Sequence, residues 1–452
     1  MRQVTPALRV RRTARGHGTK ATHDIINIFH GLQRPPGIKI RIKEVAEPTA
    51  APRDMETALN DVVILDCTRY LSGPYGATLL ADLGAQVIKV EPREPRIKEG
   101  FGKYAFKGED AYFLSTNRNK KSFVVNLKME EGRQVFYDLV RKADVLLENF
   151  RYGVTEKLAI DYETLSKINP RLIYCTITGF GSTGPYRDRP AYDLVVQALS
   201  GGMSITGEAG RPPVRAGVAI ADLGAGMFAA LGIVTALHQR DRTGLGQKVE
   251  TSLLEAHMSL LVYEAAYYLV SGVVPGPLGS GHRSISAYGA FKTKDDYIVI
   301  ANPEGYNIAR LYNAIGHPEL IEDPRFDTPE KRSENREIFK KILEETFLTK
   351  TAREWLDILT AGNVPCAPVN TLAQACEDPQ VLEREMVVEI DYTEGGRLRQ
   401  VGNPIKLSAT PPEVRKQFHS PPTQGQHTQE ILRDMLGYSP ERIAALRAKE
   451  VI

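Results

Sequence analysis

Short runs of apolar and β-branched residues alternate with amphipathic stretches through the first part of the chain. Val62–Asp66 has the composition of a buried strand, and Ser72-Gly-Pro74 is typical of a helix start that continues over Tyr75–Leu83. The alternation predicts further strands at Gln86–Glu91, Ser122–Leu127, Ala143–Glu148 and Leu172–Ile177, and helices at Glu130–Lys142 and Tyr162–Ile168. This order predicts an α/β fold with a Rossmann-like, mostly parallel sheet, whose ligands bind beyond the carboxyl ends of the strands.

The second part of the chain has a different pattern. From Ala191 to about Val270 the residues predict helices, interrupted at Gly201-Gly202 and by a turn around Thr243–Gly246. A Gly- and Pro-rich passage at 271–281 precedes a smaller α+β region, and the residues after Gly395 are poor in strand signals and then helical. We expect four parts: a leader and linker at 1–57, a large domain at 58–270, a small domain at 271–390, and a C-terminal segment at 391–452 that returns to the large domain.

The N-terminal region differs in charge from the body of the chain. Residues 1–60 contain 11 Lys and Arg against 5 Asp and Glu, and the remaining residues contain 47 against 50. The mildly acidic body argues against nucleic acid as a partner. No acidic residue precedes Asp24, and an Arg-rich, acid-poor leader is typical of a mitochondrial transit peptide, although a disordered basic tail has the same composition. We expect localisation in the mitochondrial matrix.

Several chemistries find no support in the spacing of the residues. The four cysteines form no CxxC or CxxH pair and the nine histidines no HxxxH pair, so neither a disulfide framework nor a metal site is predicted. The sequence has no Walker motif for ATP and no GxGxxG motif for NAD. The apolar run Leu223–Leu237 is too short and Gly-rich to span a bilayer, so we expect no membrane partner. Because the nucleotide and metal motifs are missing, we also expect no permanently bound cofactor.

Asp222 is the only acidic residue between Ala209 and Arg240, in a stretch of Gly, Ala and apolar residues. A carboxylate there is costly unless it has a partner. One interpretation is a helix N-cap for the apolar run that follows. The other is a nucleophile at the start of a helix, with small neighbours such as Ala221 and Gly224 that let an electrophile approach. Taken alone, these residues favour the cap.

A cluster of basic residues follows the first βαβ unit, and it consists of Arg93, Arg96, Lys98, Lys103, Arg118, Lys120 and Lys121. Such charge runs are usually solvated surface. Beside the ends of strands, they are equally suited to binding the phosphates of an adenine nucleotide. The cluster alone does not decide between these interpretations.

Five segments in a fixed order give the chain a family resemblance: Leu71–Glu91, Asn117–Ser122, Ala143–Phe150, Gly217–Gln247 and Val364–Val369. Together they span roughly residues 61 to 410. In this combination the chain resembles the class III CoA-transferases, the family that includes formyl-CoA transferase, carnitine CoA-transferases and 2-methylacyl-CoA racemase. The resemblance implies that the large domain binds CoA, that CoA thioesters are substrates, and that two chains form an interlocked homodimer.

The resemblance assigns the role of nucleophile to Asp222. The carboxylate attacks the thioester of an acyl-CoA to form an anhydride, the thiolate returns to form an aspartyl-CoA thioester, and an acceptor acid takes the CoA through a second anhydride. With its ordinary pKa of about 4, an Asp is ionised at neutral pH and needs no adjacent base. Backbone N–H groups of Gly279-Ser-Gly281 are candidates for the oxyanion site, although an interdomain linker explains these glycines equally well.

Matching positions also predict the CoA contacts. The CoA-contacting pair of the family falls on Asn149 and Phe150. Further candidates are Leu71, Ser72, Arg93 and Lys120. Leu71 replaces a Gln of formyl-CoA transferase and Pro92 replaces an Arg, so the set of contacts differs from that relative.

One position separates the chain from the racemase branch of the family. Racemases carry a Gly-His-Asp segment, and the matching residues here are Ala191-Tyr192-Asp193. Tyrosine, with a pKa near 10, is a poor base near neutrality. Asp193 is therefore expected to have a structural or substrate-orienting role.

The acids that are exchanged follow from the resemblance alone. The mitochondrial branch that the chain most resembles uses dicarboxylates, so we expect succinyl-CoA as the donor and glutarate or a similar diacid as the acceptor. A second carboxylate needs a cation, and Arg215, His282 and Arg283 are candidates that are equally compatible with surface ion pairs. Two alternatives stay open, namely a 2-methylacyl-CoA racemase and an acyl-CoA-binding protein without catalytic activity.

Overall fold

Six parallel strands form the central sheet, in the order β5-β2-β1-β6-β7-β8. The computed structural model describes residues 57–96, 104–301, 307–410 and 418–452. The strands are β1 Val63–Asp66, β2 Gln86–Glu91, β5 Lys120–Val124, β6 Val145–Glu148, β7 Ile173–Thr178 and β8 Lys248–Ser252, and a short hairpin of β3 Ala105–Phe106 and β4 Glu109–Asp110 precedes β5. The strand order reverses at β1, which pairs with β2 on one side and β6 on the other, so a crevice opens at their carboxyl ends.

The predicted α/β class and the parallel sheet are confirmed, but the predicted helical region is wrong at two places. Residues 206–219 form no helix. Lys248–Ser252 forms strand β8, which pairs in parallel with β7. Its exposed and half-buried residues alternate, as in an edge strand, and the buried apolar run that identifies the other strands is missing. The predicted leader and linker up to Arg53, with Lys98 and Lys103 of the basic cluster, lie outside the described residues.

Helices cover both faces of the sheet and surround a second, smaller sheet. In chain order they are α1 Ser72–Asp82, α2 Ala111–Ser115, α3 Glu130–Val140, α4 Val154–Lys157, α5 Tyr162–Ile168, α6 Asp193–Leu199, α7 Gly202–Ile205, α8 Ile220–Thr243, α9 Leu253–Leu260, α10 Val262–Ser271, α11 Asn307–Ala314, α12 Pro329–Glu334, α13 Arg336–Phe347, α14 Ala352–Ala361, α15 Leu372–Cys376, α16 Pro379–Glu383, α17 Thr428–Glu430 and α18 Pro440–Ala448. The described residues also form a 3₁₀ turn at Pro318–Ile321 and a π-helical turn at Ile431–Met435.

Alternate residues of each strand contribute to two cores, one on each face of the central sheet. Leu65 and Leu146 belong to the core under α3, which also takes in C-terminal residues between Ile431 and Ile452. Ile64 and Leu147 belong to the opposite core, under α1 and α8. The C-terminal residues therefore pack on the sheet that begins the fold.

A third core lies around an antiparallel sheet of β9 Tyr288–Lys292, β10 Tyr297–Ala301 and β11 Cys366–Pro368. A separate hairpin joins β12 Val387–Asp391 and β13 Arg397–Val401. The expectation of few strands after Gly395 is confirmed, because the described residues there form one strand, β13, before the helices. The division of the chain into domains stays a prediction.

Among the described residues, α8 is the one helix long and apolar enough to cross a membrane by length and composition, with 24 residues. The helix extends beyond the apolar run Leu223–Leu237 on which the expectation about membranes rested. In this fold, Ala221, Ala225 and Ala229 of α8 are buried in the core on the sheet. Such packing is typical of a core helix in a globular domain.

Two glycines let α1 and α8 cross in close contact. A Cβ atom on Gly76 would lie 2.6 Å from the carbonyl oxygen of Gly226, and one on Gly226 would lie 2.3 Å from the carbonyl oxygen of Ser72. Non-bonded carbon and oxygen atoms do not approach this closely, so a side chain at either position would push the helices apart. The contact fixes the N-terminal part of α8 against the first turn of α1.

We expect Gly226→Ala to lower the free energy of unfolding by about 2 kcal/mol, because overpacking outweighs the better helix propensity of Ala. Gly276→Ala is the control, since a Cβ there meets nothing within 4 Å, and its effect should stay within about 0.5 kcal/mol. Urea unfolding followed by circular dichroism measures both. Equal stability of the two variants would contradict the close helix contact.

Candidate active site

Asp222 lies in the first turn of α8 with its side chain partly buried. The N-cap interpretation is wrong, because the N-cap residue is Ala219 and no side chain of α8 caps the helix. Among the described residues, no hydrogen bond or ion pair to the Asp222 carboxylate is present. The carboxylate therefore sits in an apolar setting without the compensation that a structural role would provide.

Asp193 performs the capping that the sequence suggested for Asp222. The Ala221 N–H donates to Asp193 Oδ1 at 2.9 Å, which satisfies a free amide at the start of α8. Gln197 donates to Asp193 Oδ2 at 2.6 Å, and the Ala216 N–H donates to Gln197 Oε1 at 2.9 Å. One buried Asp–Gln pair thus holds both ends of the loop that leads into Asp222.

The pKa of Asp222 is raised to about 7, first because burial penalises the charged carboxylate and second because the Asp193 carboxylate is close. The expectation of an ordinary pKa is therefore wrong. A more basic carboxylate is a better nucleophile once ionised, but part of it is protonated near neutrality. Carboxylates with pKa values raised in this way are concentrated at functional sites.

A cavity of about 470 Å³ lies at the carboxyl ends of β1, β2, β5 and β6. Its lining includes Arg69 and Tyr70 after β1, Lys128 after β5 and Phe150 after β6. The wall is mixed, since aromatic and aliphatic surfaces alternate with cationic side chains. An adenine ring and phosphate groups require this combination.

The first turn of α1 connects the cavity to Asp222. Tyr70 and Pro74 line the cavity, whereas the Ser72 carbonyl between them touches Gly226 of α8, one turn after Asp222. Asp222 itself is not among the residues that line the cavity. Leu71 and Ser72, both predicted CoA contacts, thus lie between the cavity and Asp222. Ser72 is buried and Leu71 is partly buried.

Asn149 holds the backbone of a cavity residue, whereas Phe150 lines the cavity with its own side chain. Asn149 accepts a hydrogen bond from the Arg69 N–H and donates one to the Arg69 carbonyl oxygen, each at 2.8 Å, so its amide holds the backbone of a cavity residue. The Phe150 side chain lines the cavity, and its N–H donates to buried Glu148 at 2.7 Å. Burial raises the pKa of Glu148 to about 7.

The two predicted cationic contacts lie elsewhere. Lys120 is fully buried, and its ammonium donates to Asp66 Oδ2 and the Pro74 carbonyl, each at 2.9 Å, and to Asn117 Oδ1 at 3.1 Å. All its donors are in use, so Lys120 has a structural position rather than a phosphate-binding one. Arg93 donates to the Glu450 carbonyl oxygen at 3.2 Å and does not line the cavity.

The loop proposed for the oxyanion uses its N–H groups internally. The Gly279 N–H donates to the Gly207 carbonyl at 2.7 Å, and the Gly281 N–H donates to the Leu278 carbonyl at 3.0 Å. Gly279 has a positive φ of 61°, and a Cβ there would also collide with Glu208. In this arrangement neither Gly279 nor Gly281 offers a free donor to an oxyanion.

The three candidate cations for a second carboxylate have different surroundings. Arg283 forms an ion pair with Glu264 and donates to the Gly276 carbonyl at 2.8 Å. His282 packs between Tyr263 and Tyr288, with ring centroids 5.7 and 5.4 Å away. Arg215 is exposed and lies on the loop that the Asp193–Gln197 pair holds.

Two site residues escaped the sequence reasoning. Arg69 and Lys128 each follow a strand and line the cavity, Arg69 directly after the β1 end and Lys128 after β5. The signal was present, because cations at the carboxyl ends of parallel strands are suited to bind phosphate. Each is a single cation after a predicted strand and lies outside the basic cluster.

The comparisons with known proteins identify a family for the chain. CoA-transferase family III matches residues 59–428. A succinyl-CoA:glutarate CoA-transferase of Mus musculus is 38% identical over 400 residues, covering 88% of this chain and 91% of that protein. An acetyl-CoA:oxalate CoA-transferase of Acetobacter aceti is 38% identical over 359 residues, covering 79% of this chain and 91% of the relative.

A solved structure supports the same grouping. The crystal structure of a CaiB/BaiF family protein from Brucella suis is 36% identical, with a TM-score of 0.74, and the match covers 84% of this chain and 99% of that one. The chain therefore belongs to CoA-transferase family III. It is an enzyme of the acyl-CoA:carboxylate CoA-transferase class, and the resemblance seen in the sequence is confirmed.

We expect Asp193→Asn to lower the pKa of Asp222, because it removes the negative charge that contributes to the raised value and leaves burial as the remaining cause. The titration midpoint of Asp222 should move from about 7 to a lower pH. Carbon-13 NMR of the protein labelled in its aspartate carboxyl groups measures the midpoint, with Asp222→Asn to assign the signal.

Asp188→Asn is the matched control for this titration, since Asp188 is exposed in the same region and paired with Arg187 at 3.4 Å. Its neutralisation should leave the Asp222 midpoint unchanged, because exposed charges are screened by solvent. An unchanged midpoint in Asp193→Asn would contradict the electrostatic coupling of the two carboxylates.

Proposed function

We propose that this enzyme moves CoA from an acyl-CoA to a carboxylic acid acceptor, with Asp222 as the covalent carrier. The observation that carries the proposal is the unpartnered, partly buried carboxylate of Asp222 at the start of α8. Its capping role is taken by Asp193, and its pKa is raised to about 7. Because the Asp222 carboxylate neither caps the helix nor pairs with another described residue, it is available to react with a substrate.

In the first half of the reaction, a carboxylate oxygen of Asp222 attacks the thioester carbonyl, and the carbon–sulfur bond breaks. The products are an aspartyl-acyl anhydride and the CoA thiolate. The thiolate then attacks the Asp222 carbonyl of the anhydride. The donor acid leaves as a carboxylate, and CoA is held as a thioester on Asp222.

The second half reverses these steps with a new acid. The acceptor carboxylate attacks the Asp222 thioester carbonyl, expels the thiolate and forms a second anhydride. The thiolate attacks the acceptor carbonyl, which forms the new acyl-CoA and regenerates the Asp222 carboxylate. One thioester and one carboxylate are exchanged for another such pair, so no net proton transfer and no ATP are required.

The cavity at the sheet edge is the proposed site of the nucleotide part of CoA. Arg69 and Lys128 are placed to contact its phosphates, and Phe150 and Tyr70 to contact its apolar parts. The pantetheine arm would pass the first turn of α1 at Leu71 and Ser72 towards Asp222. Asn149 and Glu148 act by holding Arg69 and Phe150 in place.

Succinyl-CoA is the proposed donor and glutarate or a similar dicarboxylate the proposed acceptor. Relatives named as succinyl-CoA:glutarate CoA-transferases in Mus musculus and Homo sapiens support this choice, at 38% and 37% identity. The acid-poor residues before Asp24 support the mitochondrial matrix as the place of action, and they lie outside the described residues.

A homodimer is part of the proposal, and we expect it to be interlocked. No residue of α10, Val262–Ser271, is buried in the single chain. Leu269 is 78% exposed, Val270 90% and Val274 77%, so a continuous apolar stretch is open. Large apolar patches mark contact surfaces, and a second copy of the chain is the partner that fits an enzyme of this family.

We expect Leu269→Glu to prevent assembly of the dimer during folding, because it places a charge in the apolar contact. Leu372→Glu is the control, since Leu372 is 86% exposed at the start of α15, away from this stretch. Sedimentation velocity measures the mass of each variant. A wild-type enzyme that sediments as a monomer would contradict the proposal.

We expect Asp222→Asn to lower exchange between succinyl-CoA and labelled glutarate by at least about 1,000-fold, because removal of a covalent nucleophile is rarely tolerated. Mass spectrometry of the working wild-type enzyme should show CoA or an acyl group on Asp222. The pH dependence should show activity rising through about pH 7, since only the ionised Asp222 attacks.

Asp241→Asn is the control, because Asp241 is exposed near the other end of the same helix, and its activity should match the wild type. A largely active Asp222→Asn enzyme would refute the covalent mechanism. Deuterium uptake at the α-carbon of a 2-methylacyl-CoA without exchange would favour the racemase alternative.

A further inference from the structure

We infer that Arg215 binds the second carboxylate of the acid carried on Asp222 and so makes the enzyme selective for dicarboxylates. The inference rests on the proposed function, in which Asp222 is acylated. It adds a specificity-determining residue to that site. It is carried by the position of Arg215 on the loop before Asp222, by its lack of an acidic partner among the described residues, by the less suitable surroundings of His282 and Arg283, and by the unfilled space at Gly217.

The loop 216–221 ties Arg215 to Asp222. The residue after Arg215, Ala216, donates its N–H to Gln197 at 2.9 Å, and the residue before Asp222, Ala221, donates its N–H to Asp193 at 2.9 Å. Gln197 and Asp193 are joined by a hydrogen bond of 2.6 Å and lie one turn apart on α6. Arg215 and Asp222 are therefore each next to a residue whose N–H group is held by the Asp193–Gln197 pair.

The Arg215 guanidinium has no acidic partner among the described residues. Its Nη1 donates to the carbonyl oxygens of Ala216 and Gly217, at 3.2 and 3.4 Å, and no ion pair is present. These weak contacts use one nitrogen and leave the other donors of the planar fork available. A guanidinium with free donors binds a carboxylate bidentately.

The other two candidate cations are less suited. Arg283 is already neutralised by Glu264. The His282 Nδ1 accepts a hydrogen bond from the Ser284 N–H at 3.2 Å, which requires that nitrogen to be unprotonated. Of the three cations predicted from the sequence, Arg215 alone carries a permanent charge without an acid beside it.

Open space lies beside the loop. A Cβ atom on Gly217 would meet nothing within 4 Å, so no other residue packs against the loop at this position. The Arg215 side chain is exposed, whereas Asp222 is half-buried. A short diacid can thus have its reacting carboxyl group at Asp222 and its distal one at the more exposed guanidinium.

The same contact serves both halves of the reaction. A succinyl group on the donor and a glutarate acceptor each present one carboxylate for the reaction and one for recognition. A monocarboxylate leaves Arg215 unpaired and gains nothing from it. The selectivity should therefore appear with donors and acceptors alike, and only for diacids.

Arg215→Gln tests the inference with matched pairs of substrates. The donors are succinyl-CoA and butyryl-CoA, and the acceptors are glutarate and valerate, so that each pair differs in the distal carboxylate. We expect kcat/KM for the two diacid substrates to fall by about 100-fold, and values for the monoacids to stay within about three-fold. Arg215→Lys should retain part of the preference, because it keeps the charge and loses the bidentate geometry.

Arg211→Gln is the control, because Arg211 is an exposed arginine on the same segment, and its variant should behave as the wild type. An equal loss in Arg211→Gln, or an unchanged diacid preference in Arg215→Gln, would overturn the inference. The mass of the Asp222 adduct formed from butyryl-CoA separates this outcome from a failure of the proposed function. If Arg215→Gln still forms the adduct, Asp222 stands whatever the role of Arg215, whereas a wild type without any adduct overturns both.

Discussion

The hydrogen bond from the Ala221 N–H to Asp193 is the interaction on which the site depends. A helix start needs an acceptor for its free amides, and a carboxylate in the first turn commonly supplies it. Because Asp193 fills that need from α6, Asp222 keeps its position at the helix start without being used there. The same acceptor also places a second negative charge beside Asp222, which adds to the effect of burial on its pKa. Asp193 thus caps the helix and also contributes to the raised pKa of Asp222, for which burial is the larger cause.

The glycine contact between α1 and α8 turns this local arrangement into a site. The cavity proposed for the nucleotide lies at the sheet edge, whereas Asp222 lies on a helix packed on one face of the sheet. Contact between Gly226 and the Ser72 carbonyl brings the two together, because α1 starts at the cavity and crosses α8 one turn after Asp222. A parallel sheet offers its ligand edge in every protein of this class. The close helix crossing brings Asp222, the proposed nucleophile, towards that edge.

The sequence predicted those features that depend on local pattern. Buried strands such as β1 and β6 were found because a strand covered on both faces contains a run of apolar residues. Strand β8 was missed because an edge strand is half-exposed, and its pairing with β7 joins residues that are distant in the sequence, such as Tyr174 and Lys248. Asp222 was singled out by its isolation in an apolar stretch. Its capping by Asp193 and the burial of Lys120 could not be foreseen, since both rest on contacts that sequence separation hides.

Two buried aspartates show how the surroundings separate a structural carboxylate from a chemical one. Asp66 is fully buried, and burial alone would raise its pKa, but Lys120 and Lys89 outweigh that effect and hold the pKa well below its usual range. Both lysines pair with Asp66, Lys120 at 2.9 Å and Lys89 at 3.5 Å, so the Asp66 charge is compensated within the fold. Asp222 is less buried, has no cation beside it, and has a raised pKa instead. In the proposed mechanism, acylation removes the charge of Asp222 from its apolar setting, whereas the charge of Asp66 is already compensated by lysines.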